Sequence, residues 1–379
     1  MADGSVQGFT HDGFEDVRAV FENNLTSGAD VGASFCATVD GETVVDLWGG
    51  TADEARTRPW VKDTIVNVYS TTKTMTALTA LLLADRGELD FDAPVARYWP
   101  EFAANGKERI KVSHLMSHSA GLSGWKEKIA KDDLYDWEKA TSLLAAQAPF
   151  WEPGTAPGYH ALTQGYLVGE VIRRITGRSL GTVFRQEIAG PLGADFHIGL
   201  PASEDSRVAE LILPPPADAV GANAGNELAT NMATNPGIDV SETRKRAWRG
   251  AEIPAAGGTG NARSVAEIHV ILANGGVAKG KRFMSEAGCR KALELQVEGT
   301  DKILNVPARF GLGFGLPGGL VPLPNPNSMF WGGYGGSLVI IDMDARTTFA
   351  YAMNRMLGTT TGDTRAFGLA MGMWQALRK

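Results

Sequence analysis

Cysteine is nearly absent from this chain. Two occur in 379 residues, Cys36 and Cys289, far apart and each among apolar or small neighbours. That excludes a disulfide scaffold and fits a reduced, cytoplasmic setting. Basic blocks are missing as well. The 36 Lys and Arg against 43 Asp and Glu leave a net charge of −7, which argues against nucleic acid or an anionic membrane surface as partner. No apolar run approaches the ~18 residues needed to span a bilayer, so no membrane partner is expected. No basic-then-apolar stretch begins the chain, so no secretory leader is expected either. What remains is an ordinary globular composition, 44% apolar and 21% charged, with length for a large core and about two or three domains.

The hydrophobic pattern changes along the chain. Phe14, Val17, Val20, Phe21 and Leu25 recur at helical spacing and predict a helix over 13–27. Two strand-like runs, 32–39 and 43–48, are joined by Asp40-Gly41, a strong hairpin signal. A short apolar run, 65–69, then leads into a long helical stretch ended by Gly87. From about 90 to 250, Pro, Gly and short helical patches alternate, with helices expected over 137–147, 164–176 and 180–188. Residues 201–222 carry several prolines and read as a surface excursion. A helix over 265–273, a second hairpin from 337–342 and 347–353, and a final helix over 365–378 complete the pattern. Strands and helices at both ends therefore enclose a helical middle. The expected fold is α/β (α+β), an antiparallel sheet flanked by helices. Residues 1–89 and 251–379 would form it, 90–250 would be an inserted helical domain, and the active site would lie at their interface.

One motif stands where chemistry would need it. Ser70-Thr-Thr-Lys73 follows the 65–69 run and opens the long helix. Residues three apart share a helical face, so Ser70 and Lys73 can meet. A hydroxyl becomes a useful nucleophile only when a base takes its proton, and a desolvated lysine can be that base. Free N–H groups at a helix start favour an oxyanion. A plain N-cap serine explains Ser70 equally, and one residue can do both. The spacing S-x-x-K recurs at Ser123-Gly-Trp-Lys126, but among glycines, with neither a strand before it nor a long helix after.

A Ser–Lys pair also needs a proton relay and a second oxyanion donor. Tyr159 lies in the turn-rich loop Pro153-Gly-Thr…Gly158-Tyr159-His160, where a phenol can shuttle a proton; it can also be a half-buried loop aromatic. Trp331-Gly332-Gly333-Tyr334-Gly335-Gly336-Ser337 leads into a strand, and its glycines allow close approach of backbone to substrate; it can also be a bulged edge strand. Two competing motifs lack context. Gly177-Arg178-Ser179-Leu180-Gly181 fits a nucleophile elbow, but a helix precedes it where a strand is required. His114 and His118 have i, i+4 spacing without an adjacent Glu, and the six histidines do not otherwise cluster, so no metal and no other cofactor is expected.

With these residues in view, the chain resembles the serine hydrolases that include class C β-lactamases, penicillin-binding proteins and family VIII esterases. Four segments carry the resemblance in order: Ser70-Thr-Thr-Lys73, Leu115-Met-Ser-His-Ser-Ala-Gly-Leu122, Pro153-Gly-Thr…Tyr159 and Trp331-Gly-Gly333. It implies a β-lactamase/transpeptidase-like fold, Ser70 as nucleophile, Lys73 as base and Tyr159 as relay. It also implies an oxyanion hole from the N–H groups of Ser70 and Tyr334. Two departures favour the esterase branch. Where lactamases carry Tyr-x-Asn, this chain has Tyr159-His160-Ala161, and where they carry Lys-Thr-Gly it has Trp331-Gly332-Gly333. An indole offers an apolar face but no ion pair to a carboxylate. The expected activity is hydrolysis of short-chain acyl esters, a small-molecule substrate, with Trp331, Gly332, Gly333, His160 and Trp125 around it. A β-lactamase, an acyltransferase and an inactive binding protein are the alternatives. Oligomeric state is not legible in the sequence.

Overall fold

The computed structural model describes residues 5–214, 225–319 and 321–378. Its centre is a six-stranded sheet in the order Gln7–Thr10, Glu42–Gly50, Gly32–Val39, Thr347–Met353, Leu338–Asp342, Ser328–Gly332. Every neighbouring pair is antiparallel. The hairpin at Asp40-Gly41 explains one junction. Both residues take positive φ, 51° and 85°, the two-residue turn whose twist suits antiparallel strands. Alternation along Thr347–Met353 sets the layers. Thr348 Oγ1 donates to the Ala266 carbonyl, whereas the next ring, Phe349, packs edge-on against Trp374. Successive side chains point to opposite faces. Helix Ala262–Ala273 therefore covers one face, and the C-terminal helix Thr364–Ala376, paired with Glu15–Thr26, covers the other. Covered on both faces, Thr347–Met353 is buried throughout and reads as a continuous apolar-rich run rather than a clean alternation.

Element by element, most expected boundaries hold within a few residues: Glu15–Thr26, Trp137–Ala146, Thr163–Thr176 and Ala262–Ala273 are helices. Helix Leu180–Phe184 continues as a π turn through Arg185–Ala189. The strand Gln7–Thr10 is an addition that sequence reading missed. It lies at the sheet edge, mostly exposed, and has no alternation to reveal it. The excursion expected over 201–222 lies partly outside the described residues.

The helix Thr72–Asp85 positions the site. Twelve of its 14 residues are buried, and the buried Thr72, Thr74, Thr76 and Thr79 each place the hydroxyl on a main-chain carbonyl. It ends where Gly87 takes φ 75° and donates to the Ala84 carbonyl. The turn before it differs from expectation. Ser70 is not the first residue of the α-helix but the centre of a 3₁₀ turn, Tyr69–Thr71, placed after the two-residue strand Val66–Asn67. That strand pairs with Thr259–Gly260, which also pairs with Phe196–His197.

Candidate active site

Ser70 sits between two partners. Its Oγ lies 3.2 Å from Lys73 Nζ and 2.6 Å from the Tyr159 hydroxyl. The 3₁₀ turn running into helix brings Ser70 and Lys73 together, as the spacing requires. Tyr69, just before, has φ 43°, a conformation costly for a bulky residue and typical of strain held at a functional turn. Asn67 Oδ1 accepts its N–H at 3.1 Å, and its carbonyl accepts from Thr72 Oγ1.

Lys73 is fully buried. Besides Ser70, its Nζ donates to the Ala161 carbonyl at 2.7 Å and the Ala255 carbonyl at 3.0 Å. Burial holds its pKa well below the ordinary lysine value. A neutral amine has two N–H bonds and one lone pair. In the neutral form of Lys73, two N–H bonds directed at these carbonyls leave the lone pair for Ser70 Oγ, 3.2 Å away. Ala161, at the position where lactamases carry Asn, holds Lys73 through its main-chain carbonyl. Burial acts the other way on Tyr159, raising its phenol above the usual range, so the ring keeps its proton. Asp301 fixes this tyrosine from behind: its Oδ1 accepts the N–H groups of Tyr159, Ile303 and Leu304 at 3.1, 2.8 and 2.9 Å.

The Trp331–Gly336 segment reaches the same point from the sheet edge. Trp331 and Gly332 end the edge strand, and the turn after them packs on the serine turn. Ser337 Oγ bonds the Val68 carbonyl at 2.9 Å and Thr71 Oγ1 at 3.0 Å. A Cβ on Gly333 would lie 2.1 Å from the Val68 oxygen, so only glycine allows this approach. Among the described residues, the N–H groups of Ser70 and Tyr334 take no hydrogen-bond acceptor.

A cavity of about 330 Å³ opens at Ser70, lined by Tyr69, Leu162, Met232, Ile238, Trp248 and Tyr334. A second, about 340 Å³, is lined by Val306, Phe310, Leu316, Phe330, Trp331 and Gly332. Tyr159, Leu304 and Thr360 border both. Among the described residues, the only charged one lining the two is Arg309, which pairs with Glu298.

Two residues expected at the substrate, His160 and Trp125, line neither cavity. His160 is fully buried and turned to the 118–122 loop. Its Nε2 accepts the Leu122 N–H at 3.0 Å, so Nδ1 carries the proton and donates to the Gly158 carbonyl at 2.6 Å. Burial lowers its pKa to about 3. Trp125 is also buried, its Nε1 donating to the Ala140 carbonyl at 2.9 Å. It touches the cavity only indirectly, because its carbonyl accepts from Asn231 and Asn235 at 3.0 and 2.8 Å, fixing helix Glu227–Thr234, which carries Met232. Trp331 does line a cavity, stacked on His118 with centroids 5.3 Å apart. Sequence reading missed Tyr69, Trp248, Leu304 and Asp301. No motif marks them, because they act by packing or through main-chain hydrogen bonds. Ser179 caps helix Leu180–Phe184 and bonds Glu252 at 2.6 Å. His118 takes φ 59° beyond the end of helix Val112–Met116, so it does not share a face with His114.

A family model described as Beta-lactamase matches residues 17–370. The esterase/beta-lactamase LipL of Mycobacterium tuberculosis is 39% identical over 340 residues, covering 86% of this chain and 77% of that protein. The crystal structure of a family VIII carboxylesterase superposes with a TM-score of 0.93 at 43% identity, over 98% of this chain and 100% of that one. A penicillin-binding protein homologue from Caulobacter crescentus gives 0.91 at 37%, over the same shares.

Proposed function

The chain belongs to the beta-lactamase family of serine hydrolases, and from that premise we propose that it hydrolyses short-chain acyl esters through an acyl-enzyme on Ser70. The observation that carries this reading is Ser70 Oγ held between a buried Lys73 and a protonated Tyr159. Neutral Lys73 takes the Ser70 proton as Oγ attacks the ester carbonyl. The oxyanion is received by the N–H groups of Ser70 and Tyr334. The proton then passes through the Tyr159 hydroxyl to the departing alkoxide, which leaves as alcohol. Water repeats the sequence on the acyl-enzyme, releasing acid and restoring Ser70. The burial of both groups supports this division of labour: it favours the neutral amine of Lys73, which can accept a proton, and keeps on Tyr159 the proton that it relays.

The cavity favours neutral esters. Among the described residues, no charged side chain lines the pocket at Ser70, and the one beside Trp331 holds only the paired Arg309. A carboxylate-bearing lactam would therefore be desolvated without a free cation to receive it. We also take residues 1–89 and 251–379 as one α/β unit and 90–250 as a helical insertion, with Ser70 at the seam. The strands of the six-stranded sheet, which fall within 7–50 and 328–353, support that division. The test is kcat/KM for p-nitrophenyl esters of two to six acyl carbons against nitrocefin and penicillin G on one preparation. Esters should exceed lactams by orders of magnitude. Equal or higher lactam values would place the chain with the lactamases.

A further inference from the structure

We propose that Arg365 is a positioning residue for the oxyanion donor of Tyr334, an inference that rests on the oxyanion-hole reading above. The donor sits on a turn with little intrinsic rigidity. Gly335 and Gly336 have φ of 101° and 126°, conformations open mainly to glycine. Within the turn, Gly333 N–H donates to the Ser337 carbonyl and Gly336 N–H to the Gly333 carbonyl, at 2.8 and 3.1 Å. The remaining support comes from outside. Gly335 N–H donates to the Thr359 carbonyl at 2.9 Å, and the Gly335 carbonyl accepts from Leu357 N–H at 3.0 Å and from Arg365 Nη2 at 3.0 Å.

Arg365 is built to hold that carbonyl. The side chain is 3% exposed. Nη2 and Nε grip the two oxygens of Asp363 at 2.7 and 3.0 Å. Nη1 reaches Asp30 Oδ1 at 2.9 Å and the Arg355 carbonyl at 2.8 Å. Tyr351 in turn donates to Asp30 Oδ1 at 2.6 Å. A planar fork fixed on two carboxylates has one orientation, and its free Nη2 direction points at Gly335. The turn is shaped for the contact. A Cβ on Gly336 would lie 2.3 Å from Asp363 Oδ2 and 2.7 Å from Arg365 Nη2. A buried ionic cluster is weak support for stability alone, since desolvation offsets much of the attraction. Holding a glycine turn within the few tenths of an ångström an oxyanion donor requires gives this one a use.

The experiment compares an oxoester with its thionoester, in which sulfur replaces the carbonyl oxygen. Sulfur is a poor acceptor, so the thionoester transition state draws less on the N–H donors. Arg365→Lys keeps the charge, but one nitrogen replaces three that are spread over a plane and reach Asp363, Asp30, the Arg355 carbonyl and Gly335 in different directions, so the fixed fork is lost. We expect the wild type to favour the oxoester strongly. In the variant, oxoester kcat should fall about 10-fold or more, a fraction of the ~10²–10³ lost with a whole donor, while KM stays nearly constant. The thionoester should fall less, so the oxo-to-thiono ratio shrinks. Equal losses on both substrates, or an unchanged ratio, would overturn the proposal and leave Arg365 purely structural. If the wild type shows no oxoester preference, the oxyanion-hole reading fails first. Should Arg365→Lys lose its cooperative thermal transition, Asp363→Asn carries the same comparison, since it loosens the fork from the opposite side.

Discussion

The chain contains the spacing S-x-x-K twice, and the two copies fold into opposite situations. At Ser70 and Lys73 the backbone turns, both side chains are buried, and oxygen and nitrogen lie 3.2 Å apart. At Ser123 and Lys126 the backbone is pinned open. His160 takes the Leu122 N–H, and the Gln147 side chain bonds both the Gly124 carbonyl and the Lys126 N–H. Ser123 is buried without a partner for its hydroxyl among the described residues. Lys126 is exposed, its Nζ over the Phe150 ring at 5.5 Å. A spacing becomes a contact only on a helical turn, and a lysine becomes a base only when burial and directed acceptors remove its charge.

The sharpest way to break this contrast is to exchange the serines' fates. Ser70→Ala should lose several orders of magnitude in kcat with its thermal transition intact, while Ser123→Ala stays near wild type. An inactive Ser123→Ala beside an active Ser70→Ala would reverse the assignment. The lysines come next. Lys73→Met should cost about 10²–10⁴ in kcat, the usual range for a general base, and Lys126→Met almost nothing. The pH profile sharpens the point. Burial lowers the Lys73 pKa, so the base form fills as pH rises through that value. kcat/KM should therefore climb with pH and then level. A profile that declines as pH rises over the same limb contradicts a lysine base. Tyr159→Phe keeps the ring against His118 and Trp331 but removes the relay, and should lower kcat by about 10². An unchanged kcat would make Tyr159 a packing residue. Trp331→Ala should weaken ester kcat/KM by roughly 1–3 kcal/mol through lost apolar contact. The smallest kinetic effect belongs to His160→Ala. It orphans the Leu122 N–H and should lower stability by about 1–3 kcal/mol while KM barely moves; a large KM rise would return His160 to the substrate site.

The sequence made legible whatever local spacing decides. Helices with a stop residue, such as the one ended by Gly87, and the Asp40-Gly41 hairpin lie close to where their patterns put them. Ser70, Lys73 and Tyr159 meet, and the 115–122 stretch reaches them through His118 on the Tyr159 ring. What stayed hidden depends on direction rather than spacing. His160 and Trp125 were expected near substrate because each adjoins a key segment, yet a neighbour in sequence can point away, and both point into protein. The apolar pattern puts Ser70 at the start of the α-helix, because it does not separate a 3₁₀ turn from a first helical turn. Asp301 and Arg365 bear on the site only through main-chain atoms of Tyr159 and Gly335, and such bonds leave no pattern in composition. The Gln7–Thr10 strand pairs only along one edge and stays mostly exposed, so nothing in its four residues marks it.

The central claim is that Ser70 alone carries the acyl group. It is tested most directly by treating the protein with a fluorophosphonate and mapping the adduct by peptide mass spectrometry. The account predicts one modified residue, Ser70, with labelling abolished in Ser70→Ala and slowed in Lys73→Met. An adduct on Ser123 or Ser179, or an unlabelled but folded wild type, would contradict it.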